Sequence, residues 1–334
     1  MAAGFFALSP ALDCGFTNWD ETIYLTGNQL IRKPLAASVK EAFSSTHEGL
    51  YKPLVFVSFA LEYKLAGLNA KIYHADNLAF HIFNCLLVLW ILLLAGVELK
   101  VSTLAALIFA VHPLHVESVT WLAERKDMLF SFFMLLSLAL YLLYRRRQKT
   151  GFYLASLAAI TLSFMSKPAA APFPFLLLLF DYLMKRTINR KALAEKIPYL
   201  LISVFFSLLA IHTAASGGKI HGFAAPVGMF DRLSAALRNI WFYAAKTLAP
   251  VNLSAMYPYP DGFPQHIASA FYLAAFCGLA IIALAVYCAK KDRDAFFGLS
   301  FFALALAPVL QLIPVGPVIA ADRYMYIPLL GLSY

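Results

Sequence analysis

The chain has 334 residues, of which 61% are hydrophobic and only 13% are charged, whereas ordinary soluble domains carry roughly 25% charged residues. Together with a mean hydropathy of +0.72, this composition excludes a soluble domain and predicts a polytopic membrane protein. The net charge of +9 does not indicate a nucleic-acid partner, because the basic residues form short clusters between apolar runs. The four cysteines are scattered, without the spacing of a zinc site or a disulfide framework.

The chain begins with an apolar segment, residues 1–12, that is too short to cross a bilayer, which takes about 20 residues. The segment lacks the basic start of a cleaved signal peptide. We therefore expect the first helix to be clipped, and we expect a truncation at Tyr334, where an apolar run stops. Residues 1–334 are interpreted as one transmembrane domain.

Apolar runs after residue 76 predict a bundle of membrane-spanning helices, several of them short or tilted. The predicted spans are residues 78–96, 101–115, 127–144, 152–166, 168–184, 197–215, 268–289 and 295–314, with a further start after Tyr326. The segment 231–250 is expected at the membrane interface, because Arg232, Arg238 and Lys246 interrupt its apolar pattern. The predicted fold class is an all-α polytopic bundle.

Short basic connections predict the orientation of this bundle. If the spans alternate, the basic clusters at 145–149, 185–191 and 290–293 fall on one side, which the positive-inside rule makes cytoplasmic. The opposite side receives the loop 13–76, the stretch 112–127, the segment 216–267 and the residues around Lys167 and Arg323. Acids, cations, histidines and aromatics therefore collect on the extracytoplasmic face. The alternative is that these outer loops are simply varied in polar composition.

Two adjacent acids, Asp20 and Glu21, follow the first apolar segment. A carboxylate held near the membrane surface could accept the proton of an acceptor hydroxyl. The alternative is an acidic pair that stabilises the N-terminus of a helix.

A polar stripe follows this loop, because His74, Asn77, His81 and Asn84 share one helical face. Such a stripe could line a cavity, or it could hydrogen-bond to neighbouring helices.

The stretch 112–127 is the richest in reactive groups. His112, His115 and Glu117 could be imagined as metal ligands, but their spacing lacks the specificity of an HExxH motif. Arg125 suits a phosphate, because a guanidinium binds two oxygens at once. Lys126 also suits a phosphate, as a compact charge, but it fits a salt-bridge cluster with Glu124 and Asp127 at least as well. Lys167 and Arg323, each beside an apolar run, can also reach a phosphate, although Arg323 could instead pair with Asp322 or snorkel.

These motifs, in this order, resemble those of the transmembrane O-mannosyltransferases that bear tetratricopeptide repeats, and those of their bacterial relatives. The matching motifs lie at residues 18–21, 51–54, 67–69, 73–74, 77, 81, 112–117, 125–127, 166–168 and 322–328. The resemblance implies a membrane-embedded glycosyltransferase of the C class, whose long first outer loop, residues 13–76, carries short interfacial helices. It also implies a polyprenyl-phosphate sugar donor, a protein or glycan acceptor, and a site on the outer face.

The resemblance further implies that Asp20 is the catalytic carboxylate, with Glu21 beside it. Relatives commonly carry two aspartates there, so it stays open which acid is the base. Departures from the family are the Pro168 that replaces a glutamate of many animal relatives and the absence of tetratricopeptide repeats from these 334 residues.

We therefore expect an inverting transfer of a sugar, mannose by resemblance, in which cations stabilise the leaving phosphate. The expected phosphate ligands are Arg125, Lys167 and Arg323, and the expected cavity-lining residues are His74, His81, His112, His115, Glu117 and Tyr324. No cofactor is required and no metal ligand is assigned, although a divalent metal could assist. The expected location is a bacterial inner membrane with the site facing the periplasm. A transporter or lipid-headgroup-binding protein without sugar transfer, or a noncatalytic scaffold, would fit the same pattern.

Overall fold

The computed structural model describes residues 2–47, 49–217, 228–260, 263, 269–312 and 318–334. Helices dominate these ranges, which confirms the all-α fold class predicted from the sequence. In chain order the helices are α1 (Ala2–Leu8), α2 (Leu35–Ser44), α3 (Pro53–Ala66), α4 (Ala70–Ala95), α5 (Leu99–Val111), α6 (Val116–Thr120), α7 (Arg125–Arg147), α8 (Thr150–Phe164), α9 (Phe173–Leu183), α10 (Arg190–Ala194), α11 (Ile197–Ser216), α12 (Met229–Leu248), α13 (Ser269–Cys288), α14 (Arg293–Leu306) and α15 (Leu329–Ser333).

Four helical stretches in the described ranges are long and apolar enough to cross a membrane: Ala70–Ala95, Leu122–Arg147, Arg190–Ser216 and Ser269–Cys288. A fifth candidate is a pair of helices, Leu99–Val111 and Pro113–Thr120, that meet at a bend of 53°. Pro113 explains the bend, because proline disfavours helical backbone in the residue before it. The chain is therefore a multi-pass integral membrane protein, and several predicted spans, such as α8 and α9, are short helices.

The basic connections predicted on one side do lie together at one end of the bundle. Arg145, after α7, pairs with Glu195 at 3.6 Å. Glu195 also pairs at 2.8 Å with Arg186, which follows α9. The Tyr182 hydroxyl at the end of α9 donates a 3.0 Å hydrogen bond to the carbonyl oxygen of Ala289, after α13. We call this the basic end of the bundle.

The first long loop folds at the opposite end, which we call the charged end. A single-turn helix at Ser9–Asp13 leads into the loop, which contains two more, at Thr22–Thr26 and Leu30–Arg32, followed by α2 and α3. Helix α4 begins at Ala70, eight residues before the predicted start of its span. The polar stripe therefore lies on a helix along its whole length.

The polar stripe of α4 holds the helices together. The Tyr326 hydroxyl bonds to His81 Nδ1 at 2.8 Å and accepts a 3.1 Å hydrogen bond from Asn84 Nδ2. His81 Nε2 donates to the carbonyl oxygen of Ala110 on α5 at 3.1 Å. Because Nε2 bonds to a carbonyl, His81 Nδ1 is the acceptor of the Tyr326 proton. These contacts correspond to the structural alternative for the stripe, not to a cavity lining.

A short antiparallel ribbon positions the turn that carries Arg323. Strands β1 (Tyr257–Pro258) and β2 (Val318–Ala320) pair with Tyr257 opposite Ala320. Directly after β2, the Asp322 carboxylate accepts hydrogen bonds from the Tyr257 hydroxyl at 2.9 Å and from the Ser254 backbone N–H at 2.6 Å. Asp322 is therefore occupied by the ribbon, which leaves Arg323 to other partners.

Candidate functional site

A cavity of about 430 Å³ lies at the charged end. Its polar lining includes Lys52, Lys126, Ser166, Lys167, Gln311, Arg323 and Tyr324. Its apolar lining includes Phe164, Phe206, Leu209, Ala210, Ile211, Ala214, Pro308 and Val309. A cavity with several cations and a largely apolar wall suits an amphiphilic anion.

The four cations of the lining come from four separate segments. Lys52 precedes α3, Lys126 lies in the first turn of α7, Lys167 follows α8, and Arg323 lies in the 3₁₀ turn Asp322–Met325. Pro53 and Pro168 each begin a helical turn directly after a lysine, which is a position that proline favours. The convergence of these segments is therefore a product of the tertiary fold.

Buried carboxylates lie behind the cations. Glu124 is fully buried, and its oxygens lie 2.9 Å from Lys126 Nζ, 3.4 Å from Arg323 Nε and 3.9 Å from Lys167 Nζ. Asp127 pairs with Lys167. None of the carboxylates of the described residues belongs to the lining of this cavity. A ligand there would meet the cations first.

Glu117 holds Arg323 at two points. Its carboxylate accepts a 2.7 Å hydrogen bond from the Arg323 backbone N–H and also binds the guanidinium. Burial alone would lower the pKa of Arg323, but the negative charges of Glu124 and Glu117 raise it above the ordinary value. The guanidinium carbon lies 5.5 Å from the centre of the Trp121 ring. Three residues of the stretch 112–127, Glu117, Trp121 and Glu124, thus meet around Arg323.

The two acids of the first loop have different surroundings. Glu21 is buried, and its carboxylate accepts hydrogen bonds from Thr17 Oγ1 and, at 3.1 Å, from Trp121 Nε1. Asp20 is half-buried, and its side chain makes no hydrogen bond or ion pair with the residues that the structure describes. The Asp20 carboxylate is therefore available, although Asp20 does not belong to the lining of the cavity.

The prediction that Arg125 contacts a phosphate is not supported. Its side chain is fully buried and lies outside the cavity lining, with Glu62 at 2.8 Å, Asp76 at 3.1 Å and the side-chain oxygen of Asn77 at 2.5 Å. Four of the five guanidinium N–H donors already bond to protein oxygens, and a fully buried side chain outside the lining does not face a ligand in this cavity. Lys126, the next residue, takes the place in the cavity that the sequence analysis assigned to Arg125.

The four predicted cavity-lining histidines lie elsewhere, so this part of the prediction is corrected. His81 and His115 are fully buried against Tyr326, with ring centres 5.8 and 4.5 Å from its ring. His112 bonds to the Thr247 carbonyl at 3.1 Å, and His74 is buried beside the Gly15 carbonyl at 3.4 Å. Each histidine ties segments of backbone together.

The other predicted site residues lie at the cavity or directly behind it. Tyr324, Lys167 and Arg323 belong to the lining, whereas Glu117 lies behind Arg323. In the described ranges, no three His, Cys, Asp or Glu side chains are grouped closely enough to hold a metal ion. Independence from metals stays a prediction.

Sequence reasoning gave Lys52 no role in ligand binding. For Lys126 it left both a phosphate contact and an ion-pair cluster open, and the residue pairs with Glu124 and also lines the cavity. A useful signal was present for Lys52, since a lysine directly before a proline and an apolar helix recurs at Lys167. Both lysines then sit at the start of a helical turn.

Comparison with known proteins assigns the central part of the chain. Residues 60–214 match the family described as dolichyl-phosphate-mannose-protein mannosyltransferase. The central segment of the chain is thus similar to that mannosyltransferase family. It includes Lys126, Lys167 and the wall residue Phe206, whereas Lys52 and Arg323 lie outside it. The family resemblance inferred from the motifs is thereby confirmed.

Individual relatives agree with this assignment. The chain is 34% identical to the human protein O-mannosyl-transferase TMTC3 over 133 residues, 37% of this chain and 14% of that protein. It is 31% identical to the Drosophila melanogaster protein O-mannosyl-transferase Tmtc1 over 156 residues, 43% of this chain and 17% of that protein. A Caenorhabditis elegans protein O-mannosyl-transferase aligns with 97% of this chain at 23% identity, but the chain covers only 49% of it. No solved structure matches the chain.

Proposed function

We propose that this protein is a membrane glycosyltransferase that moves mannose from a polyprenyl phosphate to an acceptor hydroxyl, with inversion at the anomeric carbon. The observation that carries the proposal is the cavity, lined in part by the segment that matches the mannosyltransferase family, in which lysines and Arg323 share one lining with apolar residues. A lipid phosphate has the matching chemistry, an anionic head on an apolar chain.

The phosphate would bind to Lys126, Lys167 and Arg323. These cations are held within 4 Å of Glu124 before any ligand arrives. Preorganised charge of this kind stabilises the negative charge that develops on a leaving group, and loss of one such partner commonly costs about 10²–10³ in rate. A phosphate leaves readily, so the reaction needs no general acid.

The apolar chain would lie against the wall formed by α8 and α11. Phe164 and Phe206 stack there with ring centres 5.3 Å apart and ring planes 10° apart. Only 28% of the spanning window of Arg190–Ser216, which includes α11, is buried inside the protein. The helix that forms the cavity wall is thus also exposed towards lipid, which gives a membrane-embedded chain a short path to the site.

Asp20 is the base in this proposal. The acceptor oxygen forms a bond to the anomeric carbon, its proton passes to Asp20, and the electron pair of the broken bond goes to the phosphate oxygen. Asp20 suits this role better than Glu21, because the Glu21 carboxylate already accepts hydrogen bonds from Thr17 and Trp121. The relatives are protein O-mannosyl-transferases by name, so we propose a protein hydroxyl as acceptor.

The test is turnover by the purified full chain in nanodiscs with mannosyl-phosphate polyprenol and a panel of hydroxyl-bearing peptides. Released polyprenyl phosphate and mannosylated peptide are measured, and the anomer of the product is determined by NMR. Asp20→Asn should reduce turnover by about 10²–10⁴-fold. Asp13→Asn, which changes an exposed acid of the same loop, is the matched control. Uptake of donor into proteoliposomes without sugar-bond cleavage would instead favour a transporter.

The charged end would face away from the cytoplasm, which is the periplasmic side if the chain resides in a bacterial inner membrane. This orientation is supported by the grouping of the basic connections at the other end. Cys14, an exposed cysteine of the first loop, provides the test. A membrane-impermeant maleimide should label Cys14 in intact spheroplasts, and a Lys149→Cys variant at the basic end, made in a Cys14→Ser background, should be labelled only after lysis. The reverse pattern would contradict the proposed face.

A further inference from the structure

The charged cluster of the site has two layers. The front layer, which lines the cavity, includes Lys126, Lys167 and Arg323. The rear layer includes Glu117, Glu124 and Asp127, each in an ion pair with a front-layer cation. The charges of these six residues cancel, and Lys52 adds positive charge to the lining. The site therefore presents cations to a ligand while its total charge stays low.

Glu124 is the centre of the rear layer. It is fully buried, and its carboxylate lies within 4 Å of all three front-layer cations. Such close cations would repel one another if their common partner were neutral. Glu124 thus does two things at once: it holds the cations together, and it offsets one positive charge.

Sugar transfer changes the charge of the phosphate. The donor is a phosphodiester with one negative charge, whereas the product is a phosphomonoester that carries two above its second pKa of about 6. A site with a large excess of positive charge would bind this product more tightly than the donor, and would release it slowly.

We infer that Glu124 is a positioning residue that keeps the charge of the site low enough for the phosphomonoester product to leave. The inference rests on the proposed function for the identity of the two ligands. The cations alone would bind the doubly charged product more tightly than the donor. The buried glutamate reduces this preference.

The inference is tested by binding measurements that do not depend on turnover. A negative result for the inference is therefore distinct from a failure to observe sugar transfer. The probes are farnesyl phosphate and its methyl phosphodiester, and their Kd values are measured at pH 8 for the full chain in detergent. Glu124→Gln keeps the shape of the side chain and removes its charge. We expect the Kd for the monoester to fall about tenfold relative to that for the diester, because the added unit of positive charge acts on two negative charges instead of one.

A second substitution and a control separate charge from structure. Glu117→Gln also adds one unit of positive charge, so it should shift the ratio of the two Kd values in the same direction. Asp181→Asn removes a buried carboxylate that pairs with Arg186 at 3.0 Å at the basic end, and should leave the ratio unchanged. If Glu124→Gln weakens both probes equally, or leaves their ratio as it is in the unaltered protein, the inference is overturned and Glu124 only holds the cations in place.

Discussion

Arg323 and Glu117 are 206 residues apart in the chain, yet the Glu117 carboxylate binds both the backbone N–H and the guanidinium of Arg323. This double contact fixes the Arg323 side chain relative to the turn that carries it. A Glu124 carboxylate oxygen also lies 3.4 Å from Arg323 Nε, so two carboxylates position the guanidinium. A cation that is fixed in this way loses little freedom when it binds an anion, which is the condition for a preorganised phosphate site.

Replacement of Arg323 should damage catalysis strongly. We expect Arg323→Gln to lower the transfer rate by about 10²–10³-fold, because the leaving phosphate loses a fixed cation. Steady-state kinetics with purified protein, which separate kcat from KM for the donor, provide the measurement. Arg147→Gln, at an exposed position of the basic end, is the control. An unchanged kcat in folded Arg323→Gln would show that this cation does not act on the reaction.

Replacement of Phe206 should alter the use of the lipid chain. Phe206 is 8% exposed, whereas its neighbour Phe205 is 62% exposed and points away from the cavity lining. We expect Phe206→Leu to raise KM for a long-chain donor by about tenfold, which corresponds to a loss of roughly 1.4 kcal/mol of apolar contact. A short-chain donor should be much less affected. Phe205→Leu should leave KM unchanged for both donors. An equal effect of the two substitutions would argue against the proposed position of the lipid chain.

Glu62 should make stability depend on pH. Burial raises the pKa of Glu62 to about 8 from the ordinary 4.5, although the nearby Arg125 opposes the shift. Asp76, whose side chain is 44% exposed, can balance the Arg125 charge at a lower desolvation cost. Between pH 4.5 and 8 the folded state keeps a proton that the unfolded state has lost, so the free energy of unfolding should decrease as the pH rises.

Thermal unfolding in detergent checks this prediction. Between pH 5 and 8 the Tm of the unaltered protein should fall relative to that of Glu62→Gln by on the order of 5 °C. Glu41→Gln, in which an exposed carboxylate that pairs with Lys33 is changed, should follow the unaltered protein. Parallel pH profiles for Glu62→Gln and the unaltered protein would contradict the proposed protonation.

Loss of the Tyr326 hydroxyl should destabilise the bundle without direct effect on the phosphate site. Tyr326→Phe removes two buried hydrogen bonds, to His81 and Asn84. An unsatisfied buried group costs about 1–3 kcal/mol, so we expect the Tm to fall by about 2–6 °C. Tyr272→Phe, at a position that is 36% exposed, should have little effect. The same Tm for both variants would mean that the buried network contributes nothing to stability.

More of the fold than of the candidate site could be predicted from the sequence. Apolar length, basic connections and prolines are local features, and they predicted the helical bundle and the grouping of polar segments at its two ends. The predicted span started at residue 78 because it included only the apolar run, whereas α4 begins at Ala70 and includes the polar His74 and Asn77. In the fold these residues are buried by neighbouring segments, and a local pattern does not contain that information.

The roles of adjacent residues were harder to predict. Arg125 and Lys126 are neighbours, but successive residues of a helix point about 100° apart, so one faces Glu62 and the other faces the cavity. Asp20 and Glu21 differ in the same way, since only Glu21 reaches Trp121. Without the position of the neighbouring helices, the direction of each side chain relative to the cavity was undetermined.

The sequence by itself determined that this protein is a helical membrane protein with a charged end and a basic end. The length of an apolar run and the net charge of a loop can both be read from consecutive residues. The tertiary structure alone decided which cations line the cavity and which carboxylate joins them. Glu124 meets Lys167 and Arg323 only after helices distant in the chain have packed together, and ion pairs of this kind depend on distances in space and not on spacing along the chain.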